Sequence, residues 1–205
     1  MIKTFLFDLG NVLLFFSHDR MCQQIGALCH KSGSEIRELL FGGDQNLNFD
    51  RGTISESEFL SWLETETDST LKLEELRTAV ADIFTPNETM FPILDELKKR
   101  GHRLVLFSNT NITHIEFVRR EYAVLQKFDH LILSYEVEAV KPEVGIYEAA
   151  LRAIECEPEH CFYTDDIAEY VIAGRQHGLQ AEIFTTAASF VEQLQLRGVD
   201  LGHLL

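Results

Sequence analysis

The sequence predicts an α/β protein: a parallel sheet covered by helices, with a helical module inserted after the first strand. Three observations carry this expectation. From about Glu88 onward, strand-like and helix-like segments alternate singly, which implies βαβ crossovers. Near the N-terminus an apolar run, Phe5 to Phe7, stops abruptly at Asp8 and a Gly-Asn turn, the pattern of a buried strand. Between these two regions, residues 17–85 carry helical spacing and no clear strand. The expected units are therefore a core formed by residues 1–16 and 86–205, and a helical insertion over residues 17–85.

The elements follow in order. Ser17-His18-Asp19 reads as a helix start, with Met21, Ile25, Leu28 and Cys29 at helical spacing. Ser32 to Glu35 opens a second helix carrying Ile36, Leu39 and Leu40, and Gly42-Gly43 breaks it. Residues 49–55 read as a loop, and Ser55-Glu-Ser-Glu58 has the spacing of a capping box. Phe59, Leu60, Trp62 and Leu63 give that helix its apolar side, and a further helix is expected over Leu73 to Phe84. Beyond Pro86, a helix over Glu88–Arg100 stops at Gly101. Strands are expected over Arg103–Phe107, His130–Leu133, His160–Tyr163 and Gln180–Phe184. Helices are expected over Thr113–Tyr122, Glu143–Ile154, Ala168–His177 and Ala187–Leu196.

Composition narrows the function classes. Hydrophobic residues make up 45% of the 205, enough to build a core. A formal net charge of −15 argues against a nucleic-acid groove and against an anionic membrane as partner. No stretch approaches the length of a membrane span. Cys22, Cys29, Cys156 and Cys161 form no C-x-x-C and no zinc spacing, as expected of reduced thiols in a cytoplasmic protein. The eight histidines show no metal-binding spacing either. No signal for an oligomeric state is present.

Polar groups close the strands. Asp8 ends the first, Ser108 and Asn109 the second, and Asp165 and Asp166 the fourth, while Lys141 follows the third. Parallel strands bring such tips to one sheet edge, where ligands bind in this fold class. Carboxylates from two strands and a backbone carbonyl make a hard oxygen site suited to Mg²⁺, normally completed by a phosphate. A hydroxyl, an amide and an ammonium suit the phosphate oxygens, and an aspartate can form an aspartyl-phosphate.

Asp8-Leu-Gly-Asn-Val, Ser108-Asn109, Lys141-Pro142 with Ile146-Tyr147-Glu148, and Asp165-Asp166 resemble the four ordered motifs of the haloacid dehalogenase superfamily. The opening is similar to that of small bacterial sugar-phosphate phosphatases with a helical cap, a glucose-1-phosphatase among them. The resemblance implies a Rossmann-like sheet of order 5-4-1-2-3 and a Mg²⁺-dependent phosphatase acting on a small phosphorylated metabolite. It further implies Asp8 as nucleophile and metal ligand, and the Gly10 carbonyl and Asp166 as the other ligands. Asp165 would stand behind them or serve as an alternative ligand, and Ser108, Asn109 and Lys141 would hold the phosphoryl group.

Two positions depart from the family pattern. Most members carry a general acid two residues after the nucleophile, where this chain has Gly10. Leaving groups that depart without a proton, such as aryl, acyl or sugar-1-phosphates, are therefore the expected substrates, unless His18 or Asp19 replaces the acid. Tyr170 stands where an Asn or Asp often supports the metal ligands. Two other readings fit part of the pattern: a metal-independent 2-haloacid dehalogenase, and a non-catalytic phosphate- or protein-binding module.

Overall fold

The computed structural model describes residues 1–202, so the last three residues of the expected core lie outside it. The chain begins with β1 (Thr4–Phe7) and β2 (Leu14–Phe16). Five helices follow: α1 (His18–Cys29), α2 (Gly33–Phe41), α3 (Gln45–Arg51), α4 (Glu56–Thr67) and α5 (Leu73–Ala81). Then come β3 (Phe84–Pro86), α6 (Phe91–Lys99), β4 (Arg103–Ser108), α7 (Ile112–Glu121) and β5 (His130–Leu133). The last part holds the single-turn α8 (Ser134–Val137), α9 (Val144–Ala153), β6 (Cys161–Asp165), α10 (Ala168–Gln176), β7 (Gln180–Ile183) and α11 (Ala187–Gln195).

β1 lies at the centre of a five-stranded sheet of order β5-β4-β1-β6-β7, with all pairings parallel. As labelled this differs from the expected 5-4-1-2-3, because β2 and β3 were not anticipated and advance the numbering. Counting only the five sheet strands along the chain, the arrangement is 3-2-1-4-5, which is the series 5-4-1-2-3 read from the opposite edge. Side chains alternate across the sheet. Phe5, Phe7, Leu104, Leu106 and Phe162 face one core with Ile93, Leu97, Ile115 and Phe190; Leu6, Val105, Phe107 and Tyr163 face another with Ile146, Tyr147 and Val171. With both faces covered, β1 has no solvent side, which is why its run is unbroken by polar residues other than Thr4.

The helical insertion differs from expectation in three places. The loop expected from Phe49 overlaps α3, which runs through Arg51. The last insertion helix stops at Ala81, and Phe84 belongs to β3 instead. β3 pairs antiparallel with β2, Phe16 opposite Phe84, so the segments entering and leaving the insertion form one ribbon. The capping box at Ser55 and Glu58 is present, and a second one joins Ser32 and Glu35. Phe49 stacks on Phe59 with centroids 4.7 Å apart, and both are buried, so Phe59 is insertion core as its helical position suggested. No described helix is long and apolar enough to cross a membrane.

Candidate active site

The parallel register sets the tips side by side. Phe7 is level with Leu106 on β4 and Thr164 on β6, so the next residue, Asp8, emerges between the ends of those two strands. Asp8 is 8% exposed. Lys141 arrives from the loop after α8 and is 2% exposed. Its ammonium uses all three donors, to Asp8 Oδ1 at 2.8 Å, Asp165 Oδ2 at 2.6 Å and the Phe107 carbonyl at 3.0 Å. Asn109 fixes the lysine backbone from both sides: its Oδ1 accepts the Lys141 N–H at 2.7 Å and its Nδ2 donates to the Lys141 carbonyl at 3.0 Å. The Lys141–Pro142 peptide is cis.

Asp165 is fully buried and its oxygens are spoken for. Besides Lys141, Oδ2 accepts the Tyr163 hydroxyl at 2.5 Å, and Oδ1 accepts the Ile167 N–H at 2.9 Å. Asp166 is more open, with Oδ2 accepting Asn11 Nδ2 at 2.9 Å. Asn11 sits in the left-handed region at φ 53°, which turns its amide toward β6. Tyr170 lends the carboxylates no hydrogen bond; its ring lies 5.2 Å from the Lys141 ammonium, and its hydroxyl is 3.4 Å from Asn109 Nδ2. Ser108, at the end of β4, is buried beside them and lines the same cavity.

Charge is unbalanced here. Burial raises the Asp8 carboxyl to about 7, against the pull of Lys141, with Asp165 adding to the rise. Burial would lower the Lys141 ammonium, but Asp165 and Asp8 overcome it and raise the lysine above its usual value. Burial also raises Asp166, and the Asn11 amide opposes this. Oxygens of Asp8, Asp165 and Asp166 lie within 4.8 Å of one another. Three carboxylates so close to a single ammonium leave an excess of negative charge. The Asp8, Asp166 and Gly10 oxygens are a donor set that fits a hard divalent cation.

The cavity over these groups measures about 220 Å³. The insertion and its ribbon contribute Phe16, His18, Leu47, Asp50, Ile83 and Phe84, and α7 contributes His114. Thus His18 reaches the cavity as its position suggested. Asp19 does not: it pairs with Arg37 on the insertion surface, its side chain 76% exposed. Gly10 is closely covered. A Cβ built there would lie 2.8 Å from Phe16 Cε1 and 3.6 Å from Asp8 Oδ2. Asn11, Phe16, Asp50, Asn111 and His114 escaped the sequence reading. The two asparagines meet carboxylates far away in sequence, 155 residues for Asn11–Asp166 and 61 for Asn111–Asp50.

Comparison with known proteins gives the family and the fold. The chain is 26% identical over 186 residues to Phosphatase MT3486 of Mycobacterium tuberculosis, covering 88% of this chain and 86% of that protein. It is 23% identical over 188 residues to a D-ribitol-5-phosphate phosphatase of Bacteroides thetaiotaomicron, covering 88% and 90%. The fold matches that of a HAD family enzyme from Bacteroides thetaiotaomicron, solved with magnesium and inorganic phosphate, at a TM-score of 0.81 and 22% identity over 90% of this chain and 95% of the other. The haloacid dehalogenase-like hydrolase model matches residues 2–178, and the chain belongs to that family.

Proposed function

We propose that the protein is a Mg²⁺-dependent phosphatase that hydrolyses a small phosphorylated metabolite through an aspartyl-phosphate on Asp8. The observation that carries this reading is the buried Asp8–Lys141–Asp165 chain beneath an open Asp166. Phosphatases among the relatives, acting on a ribitol phosphate or glyceraldehyde 3-phosphate by name, support it. Asp8, the Gly10 carbonyl and Asp166 hold the magnesium ion, which supplies charge neutralisation for the phosphoryl oxygens. Asp165 is no ligand in this reading; it anchors Lys141. Ser108, Lys141 and the backbone at Asn109 bind the phosphoryl group, and Asp8 Oδ2, free of the lysine, attacks phosphorus. The P–O bond to the leaving alcohol breaks as the Asp8 O–P bond forms, and water then releases phosphate. Residues 17–85 act as a cap that selects the substrate. With Gly10 in place of the usual acid, leaving groups that depart without a proton are favoured.

The test is phosphate release by the purified protein with and without Mg²⁺. Asp8→Asn should abolish turnover with the fold intact; retention of a tenth of the rate would exclude Asp8 as nucleophile. Asp166→Ala should raise the Mg²⁺ requirement by about 10–100-fold or more.

A further inference from the structure

Beyond the ionic group around Asp8, the cavity is lined largely by hydrocarbon. Phe16, Leu47, Ile83 and Phe84 come from the insertion and its ribbon, and Ile167 and Tyr170 from the core. Two of these side chains have no packing role. Leu47 and Ile167 are 41% and 42% exposed, and neither joins the core on either face of the sheet. Both are nevertheless held in place. The Ile167 N–H donates to Asp165 Oδ1 at 2.9 Å. Leu47 rides on α3, whose Asp50 is bonded to Asn111 and Ser134 of the core. Open apolar side chains on fixed backbone in a concave site are surface that gains from being covered.

The polar side chains along the cavity are largely turned to one another. Asn11 bonds to Asp166 and Asn109 to Lys141, while Asp50 and His114 are both tied to Asn111. A leaving group rich in hydroxyls would give up water here for few partners. Among the described residues lining the cavity, Lys141 is the only lysine or arginine, and Asp8 and Asp165 hold it. A second anionic group on the substrate therefore finds no cation. The volume, about 220 Å³, is below the roughly 300–1,000 Å³ usual for drug-sized ligands. It suits a phosphoryl group carrying one ring better than a nucleotide.

Gly10 leads to the same class by a separate route. With no acid at that position, the leaving oxygen must depart with its charge. A phenolate combines that low basicity with a flat apolar face. We propose that Leu47 and Ile167, with the ring of Phe16, form an apolar subsite for the leaving group, and that the substrate class is an uncharged aryl phosphate, the phosphomonoester of a phenol. This deepens the phosphatase reading and rests on it.

The experiment compares kcat/KM for 4-ethylphenyl phosphate and 4-(hydroxymethyl)phenyl phosphate at saturating Mg²⁺, with glycerol 3-phosphate as a polyol reference. The two aryl esters match in size, and their phenolates have closely similar basicity, so a difference between them reads the wall and not the bond breaking at phosphorus. The wild-type protein should prefer the ethyl compound about fivefold or more through KM, less than a closed apolar pocket gives because the wall is partly open to water. Leu47→Asn, at an exposed position outside both cores, should reduce that preference to about half or less by raising KM for the ethyl compound. Equal kcat/KM for the pair in wild type overturns the subsite, whether or not the variant folds, and leaves the phosphatase reading standing. So does a preference that Leu47→Asn leaves unchanged. A higher kcat/KM for glycerol 3-phosphate than for either aryl ester overturns the aryl class. No phosphate from any of the three compounds overturns the phosphatase reading and the subsite together.

Discussion

Lys141 shows how one residue joins stability to chemistry. Its ammonium is buried between two carboxylates, and removing one partner of such a set leaves an uncompensated charge in the interior. Lys141→Met should therefore destabilise the protein by about 3–5 kcal/mol. It should also lower kcat by about 10²–10³, since charge developing on the phosphoryl oxygens loses its stabiliser. The two effects separate in the double variant. Lys141→Met with Asp165→Asn removes both halves of the deeper ion pair and should recover most of the unfolding free energy, but none of the turnover. Urea unfolding alongside phosphate release reads both quantities. Recovered turnover in the double variant would mean that Lys141 only props the fold.

At the scale of elements, α3 fastens the insertion to the core. The Asp50 carbonyl accepts the Ser134 hydroxyl at 2.5 Å, and Gly52, at φ 80°, caps the helix against α8. A Cβ on Gly52 would lie 2.2 Å from the Tyr135 carbonyl oxygen, a backbone atom that no rotamer change can move. Gly52→Ala should cost about 2 kcal/mol or more, from the left-handed backbone and the clash together. A thermal shift under about 2 °C would show that α3 is not fastened there. This same element marks where sequence reading stops. The core strands were legible because burial on both faces leaves continuous apolar runs, and their tips were legible because polar residues end those runs. α3 was not, since Gln45–Arg51 is short, mostly polar and flanked by Gly43 and Gly52. β2 and β3 were missed because three-residue strands hold through each other, not through propensity. Of the candidate site, Asp8, Ser108, Asn109, Asp165 and Asp166 were readable from strand ends, and Lys141 from its place in the Lys-Pro motif beyond the third strand. The Asp50–Asn111–His114 group was not, because it exists only once the insertion folds back on α7.

The whole molecule carries a formal charge of −15, and its site must receive a dianion. The long-range field thus opposes encounter while the local site favours binding. Raising ionic strength from about 0.01 to about 0.15 M shortens the screening length from about 30 to about 8 Å. At saturating Mg²⁺, kcat/KM for a phosphomonoester should therefore rise, roughly twofold or more, over that range. The apparent Mg²⁺ affinity should fall over the same range, because the field attracts cations. Stopped-flow or initial-rate measurements at several salt concentrations check both signs. A fall in kcat/KM at saturating metal would mean that a local positive patch dominates capture.

The ring of Phe16 over Gly10 couples the two positions. With its edge 2.8 Å from where a Cβ would stand, and the His18 and Phe84 rings beside it, the Phe16 ring must shift before position 10 can take a carboxylate. The effect of a change at one position should then depend on the residue at the other. With the ring in place, a single substitution at position 10 should not supply a working acid. The four combinations of Gly or Asp at 10 with Phe or Ala at 16 expose this. Gly10→Asp alone should lower stability and activity, whereas on the Phe16→Ala background the same substitution should be tolerated and should speed hydrolysis of alkyl phosphates. If Gly10→Asp behaves alike on both backgrounds, the Phe16 ring does not constrain position 10.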